Sequence, residues 1–276
     1  MKSLSEFRSF TSALEENGQL MPVLFIGHGS PMNGIEGNEF SQYWSKLAIE
    51  IPVPKAILVI SAHWLTKGTR ITAMDFPRTI HDFGGFPQAL FEVQYPAPGD
   101  PVLAETAASM LSPGAALDHD WGLDHGTWTI VRHMYPEANI PVLQLSIDNT
   151  KSPAEHYRLA GELYALRKKG VLIFGSGNMV HNLGQLAWQR MNEPGFGYDW
   201  ALRMNERFKT LISEGDHDAL VHYGRLGRDA ALAIPTPEHY LPLLYTLGLS
   251  RREEQLGFFN DRAVAGSLTM TSVRFS

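Results

Sequence analysis

Residues 55–63 read KAILVISAH, with five apolar side chains in a row from Ala56 to Ile60 and a histidine three residues further on. A half-exposed strand alternates apolar and polar positions, whereas a strand covered on both faces is apolar throughout, the habit of parallel sheets. Residues 22–28, PVLFIGH, and 171–176, VLIFGS, have the same character. Such runs separated by amphipathic stretches predict an α/β protein: one domain whose central sheet is mixed, largely parallel and flanked by helices.

Working outward, strands are expected at 22–26, 55–61, 70–73, 140–146 and 171–175, with two β-like runs at 256–259 and 267–275. Helices are expected at 39–49, 101–111, 125–134, 153–168, 198–213 and 238–247. Ser152 and Pro153 supply an N-cap and a first-turn proline for the helix from 153. Leu4, Phe7, Phe10 and Leu14 stand at helical spacing, so residues 1–20 read as a helical N-terminal extension on a domain spanning 21–276. Residues 76–100 carry Pro, Gly and aromatic residues with weak periodicity, and a segment of that kind inside a domain suggests a lid or pocket wall.

Composition narrows the function. The 276 residues carry 23 Lys and Arg against 29 Asp and Glu, a net charge of −6, with no basic block to neutralise a phosphate backbone. Nucleic acid and anionic membrane surfaces are therefore not expected partners. No apolar stretch approaches the ~20 residues of a membrane span, and the first twenty residues lack the apolar core of a signal peptide. A cytoplasmic monomer is the expectation. The chain has no cysteine, so any metal must be held by histidines and carboxylates.

His28, His63, His181 and His239 each lie where a backbone pattern breaks, and His28 and His63 close the first two apolar runs. In open α/β sheets, ligands gather outside the carboxyl ends of strands, and imidazole is the commonest metal ligand among side chains. Taken singly, each of these histidines is equally well read as a residue satisfied by nearby backbone. Together they point to a mononuclear metal centre. His125, beside Asp124 and framed by Trp121 and Trp128, is a fifth candidate, and His81 on the expected lid could reach substrate. His119, His133, His156, His217 and His222 read as surface or packing residues. No GxSxG elbow and no carboxylate pair suited to glycoside cleavage stands out.

The motifs GHGSPMN (27–33), SAHW (61–64), IHDFGGFP (80–87), YPAPG (95–99), WGLDHGTW (121–128), QLSID (144–148), GSGNMVHN (175–182) and IPTPEHYLP (234–242) occur in this order. Set together they closely resemble the 4,5-DOPA extradiol dioxygenase group. That group belongs to the class III extradiol ring-cleaving dioxygenases, which include the protocatechuate 4,5-dioxygenase catalytic subunit. The resemblance implies that 21–276 is a catalytic domain acting on L-DOPA or a related catechol with dioxygen to give a muconic semialdehyde. It also implies one divalent metal, Fe(II) for activity with Zn(II) possible as isolated. It places His28, His63, His181 and His239 in the metal set, and His125 and His181 in proton handling.

In the wider superfamily two histidines and a carboxylate hold the iron, whereas this chain reads Glu238-His239 at the third position. Two assignments follow: His239 ligates and His181 acts as acid/base, or His181 ligates and His239 supports it. Trp64, Phe83, Phe86 and Tyr240 are expected to pack a substrate ring. Two other functions suit the same residues, a zinc hydrolase and a non-catalytic catechol- or metal-binding protein.

Overall fold

Strand β1 (Val23–Gly27) and strand β2 (Ala56–Thr66) are buried on both faces along their apolar runs. Side chains alternate between faces along a strand. Val23 and Phe25 therefore enter one apolar cluster with Leu58 and Ile60, while Leu24 and Ile26 enter a second with Ile57 and Val59. Helices cover both sides: Pro101–Met110, Pro153–Glu162, Asp199–Glu214 and Leu241–Leu249 pack on the first cluster, Glu39–Glu50 and His125–Met134 on the second. This three-layer arrangement explains why the strands carry no polar alternation.

The computed structural model describes residues 19–191 and 193–276, so the helix expected over 4–16 lies outside the described residues. The remaining strands are β3 (Arg70–Thr72), β4 (Arg78–Thr79), β5 (Ala116–Asp118), β6 (Gly122–Leu123), β7 (Val142–Asp148), β8 (Val171–Gly177), β9 (Leu256–Phe259), β10 (Ala263–Val264), β11 (Leu268–Thr269) and β12 (Ser272–Phe275). Eight form one sheet in the order β5-β3-β7-β2-β8-β1-β12-β9. The centre, β7-β2-β8-β1, is parallel, and β3 pairs parallel with β5. The pairings β3-β7, β1-β12 and β12-β9 are antiparallel. The chain is thus a single α/β domain on a mixed, largely parallel sheet. Among the described residues no helix is long and apolar enough to cross a membrane.

Several elements differ from the sequence reading, among them the run expected over 267–275, which divides into β11 and β12 in separate sheets. The helix expected over 153–168 is interrupted at Leu163, leaving Pro153–Glu162 and Tyr164–Lys168. The helix expected from 238 starts at Leu241, because residues 236–239 form a turn whose backbone meets β8. Most consequential for the site, β2 does not end at Ser61. It runs on to Thr66 through an irregularity in which Ile60 to Leu65 answer only Leu145 to Ile147 on β7.

Candidate metal centre

Register brings the first two histidines together. Ser61 on β2 and Ile26 on β1 both pair with Ser176 on the intervening β8. His28 and His63 each stand two residues beyond that row, along the two strands that flank β8. His63 lies inside the irregular part of β2 rather than at a strand exit, and the bulge re-aims it, as bulges near sites commonly do. After His28 the chain turns through Gly29 at φ 63, the left-handed region that glycine enters without strain.

The Nε2 atoms of His28 and His63 lie 3.1 Å apart. Each ring is tied back through its other nitrogen. Ser176 Oγ donates its one hydrogen to the Gly126 carbonyl at 2.5 Å, so it can only accept from His28 Nδ1 at 3.0 Å. The Nδ1 of His63 faces Asp82 Oδ2 at 3.3 Å, and a carboxylate only accepts. These partners favour the proton on both Nδ1 atoms, and in that state both Nε2 atoms present lone pairs to one another. Burial, followed by the neighbouring imidazoles, holds His28 well below its ordinary pKa. Burial, and next His125, lowers His63 to about 3 against the opposing pull of Asp82. Two neutral imidazoles with facing lone pairs are a poor packing arrangement and a good cation site. The residues therefore fit a divalent metal, with the outer hydrogen bonds that such ligands commonly keep.

The other three histidines close around this pair. The His125 ring centroid is 3.9 Å from that of His63 and 5.5 Å from that of His28. The His239 ring lies 5.4 Å from His28 and 5.0 Å from His63, and His181 stacks on His239 at 3.5 Å, nearly parallel. Among the described residues two groups have ligand atoms within 4.8 Å of one another: His28, His63 and His125, and His181, Glu238 and His239. Burial holds His239 well below the ordinary imidazole value and lowers His181 to about 4, so both are neutral at pH 7. Glu238 Oε1 is 3.4 Å from His239 Nδ1. The two arms holding these rings are anchored locally: His181 N–H donates to the Ala233 carbonyl, and the His239 carbonyl accepts from Asn178 N–H.

Several neighbours are not where the sequence suggested. Asp124 does not orient His125: its carboxylate accepts from Ser61 Oγ at 2.7 Å and Gln144 Nε2 at 2.7 Å. Burial, then the charge of Asp82, raises Asp124 to about 6. His125 is oriented instead by Asp82, which accepts its backbone N–H on Oδ1 and its Nδ1–H on Oδ2, each at 2.9 Å. Burial alone would raise the Asp82 pKa, but its bonds to His125 and the nearby imidazoles bring it below the ordinary value.

His81 on the same loop turns away to the Val93 carbonyl. Trp64 stacks on Trp121, and Tyr240 donates to the Leu220 carbonyl in the core. Of the expected ring-packing residues, Phe83 meets His125 edge-on at 5.6 Å and Phe86 meets Phe83 at 5.4 Å. Asp82, Ser176, Ser61 and Gln144 were missed as individual site residues. Asp82 was legible only as part of IHDFGGFP, since nothing local links it to a histidine 43 residues away.

Comparison with known proteins gives the family. The family described as "Catalytic LigB subunit of aromatic ring-opening dioxygenase" matches residues 22–265. The chain is 47% identical over 260 residues to "4,5-DOPA dioxygenase extradiol" of Escherichia coli (strain K12), covering 92% of this chain and 94% of that one. It is 34% identical over 263 residues to the protein of the same name from Beta vulgaris, covering 92% and 96%. A crystal structure of an uncharacterized protein from Escherichia coli K12 superposes with a TM-score of 0.80 at 40% identity, over 93% of this chain and 100% of that one. The chain is an oxidoreductase, an extradiol ring-cleaving dioxygenase, and it belongs to the LigB family of aromatic ring-opening dioxygenases.

Proposed function

We propose that this enzyme opens the ring of L-DOPA or a related catechol on the 4,5 side. The carbon–carbon bond next to the diol breaks, both atoms of dioxygen enter the product, and a muconic semialdehyde results. The observation that carries the reading is the pair of bare Nε2 atoms 3.1 Å apart, each ring locked from behind. His28 and His63 would hold a single divalent metal, iron for activity, and zinc would fit the same nitrogens. His239 would complete the set, because its ring lies near both. His181 stacks on His239 and would sit beside the metal as a proton carrier.

When bound, Fe(II) supplies a Lewis acid for the catecholate and a redox centre that couples it to dioxygen. The chain's own part is proton handling and shape. With its Nδ1–H given to Asp82, His125 keeps Nε2 free to take a catechol hydroxyl proton. The proton that His125 takes can go back to the opened product, directly or relayed through His181, which is neutral at pH 7 and so free to accept it. Phe83, edge-on to His125 and backed by Phe86, gives the planar substrate an apolar wall.

The test is anaerobic reconstitution of the metal-free protein with Fe(II), addition of L-DOPA, then admission of air. Dioxygen uptake with a yellow product is expected, and absence of turnover across a catechol panel would overturn the substrate class. Metal content separates the assignments: His239→Ala should lose the metal, whereas loss in His125→Ala with retention in His239→Ala would move the third ligand to His125.

A further inference from the structure

One carboxylate holds one histidine of this site by two hydrogen bonds and faces a second at ion-pair distance. Asp82 Oδ1 accepts the backbone N–H of His125 at 2.9 Å. Asp82 Oδ2 is 2.9 Å from His125 Nδ1 and 3.3 Å from His63 Nδ1. Among the described residues no other carboxylate is in such contact with two of the five clustered histidines. Because an ionised carboxylate has no hydrogen to give, its bond to His125 requires Nδ1–H on that ring, and its charge 3.3 Å from His63 Nδ1 favours Nδ1–H there too, leaving Nε2 unprotonated. For His63 that Nε2 is the atom facing His28. In the other tautomer His63 would aim an N–H at the cation position, and His125 would carry its lone pair on Nδ1, against Asp82, instead of on Nε2.

We propose that Asp82 is a positioning residue that sets the tautomers of His63 and His125 at once, so that a single loop carboxylate readies both the metal ligand and the acid/base. Asp82 itself need touch neither metal nor substrate. Its reach from the loop between β4 and the short helix Gln88–Phe91 also means that the site is complete only with this loop docked. The proposal rests on the roles given above to His63 and His125, and its test is made on metal-free protein, where no turnover is needed.

An isosteric amide separates tautomer control from mere space filling. In Asp82→Asn the amide oxygen can keep the backbone N–H of His125, which leaves an NH2 facing both Nδ1 atoms. Those atoms must then accept, and the ring protons move to Nε2. Nitrogen-15 spectra of the metal-free wild type should show Nδ1–H at both His63 and His125, and D82N should show Nε2–H. Zinc affinity, measured with zinc alone by competition against a chelator, should fall about 10–100-fold in D82N. It should stay close to wild type in D82E, which retains the carboxylate.

A wild-type spectrum with Nε2–H at either residue overturns the proposal, and needs no variant that might misfold. So does a folded D82N whose tautomers or zinc affinity match the wild type. Expected tautomers in a protein that cleaves no catechol would leave this inference standing and sink the substrate reading instead.

Discussion

Ser176 has one hydroxyl hydrogen, and its destination decides what His28 can do. Given to the Gly126 carbonyl, it leaves the oxygen to accept from His28 Nδ1. Ser176→Ala removes that acceptor without changing charge, so His28 is free to swap tautomer and tilt. Metal affinity should drop about 10–100-fold, the usual cost of losing such a partner, while a chelator competition on His28→Ala and His63→Ala should show no retention at all. His125→Ala should keep the metal and slow ring opening, which single-turnover product formation would report. Full metal occupancy in His63→Ala would show that the site is misplaced. His28, His63, His181 and His239 were legible in the sequence because each stood at a break in a backbone pattern. Their partners were not. Asp124 is adjacent to His125 yet its side chain points away, and Asp82, which does the orienting, comes from a loop with no periodicity to read.

At the scale of elements, the site depends on backbones that pass closer than a methyl group allows. A Cβ on Gly177, the last residue of β8, would lie 2.1 Å from the His239 carbonyl oxygen. Backbone cannot rotate out of the way as a side chain can, so Gly177→Ala should push the 236–239 turn off the strand and carry His239 with it. The expected result is weakened metal binding with secondary structure retained, read by chelator competition beside far-ultraviolet circular dichroism. Unchanged affinity would mean that the turn is held from elsewhere.

Strands at this scale were readable where burial on both faces gave an unbroken apolar run, as in 23–26 and 56–60. The continuation of β2 through His63 was not readable, since the bulge after Ile60 is set by pairing with β7 rather than by local composition. Likewise the break at Leu163 falls within an amphipathic pattern that would have supported one longer helix.

For the molecule as a whole, two buried groups tie stability to charge. Arg167, fully buried, donates to the Met21 carbonyl at 2.8 Å and the Leu249 carbonyl at 2.6 Å and pairs with Glu254. It links the entry to β1 with the end of the helix Leu241–Leu249. Arg167→Ala leaves Glu254 buried without its partner, and denaturant unfolding should show a loss of about 3–5 kcal/mol.

His156 acts through protons instead. It is packed in the core against Tyr245, whose hydroxyl lies 2.9 Å from its Nδ1. Burial lowers its pKa to about 4, with Asp148 pulling the other way. The unfolded chain restores an ordinary value of about 6.5. Between these two values the unfolded state binds a proton that the folded state refuses, so stability is full above pH 6.5 and falls as pH drops toward 4. Integrated from pH 7 to pH 5, the loss from this one residue is about 2 kcal/mol. Burial lowers His28, His63, His181 and His239 in the same direction, but they are common to wild type and His156→Phe and cancel in the comparison. The variant is expected to start less stable at pH 7, having lost the bond to Tyr245, and then to lose about 2 kcal/mol less than wild type on acidification to pH 5. Parallel stability–pH curves for the two proteins would show that His156 binds protons alike in the folded and unfolded chain, so that burial does not lower its pKa.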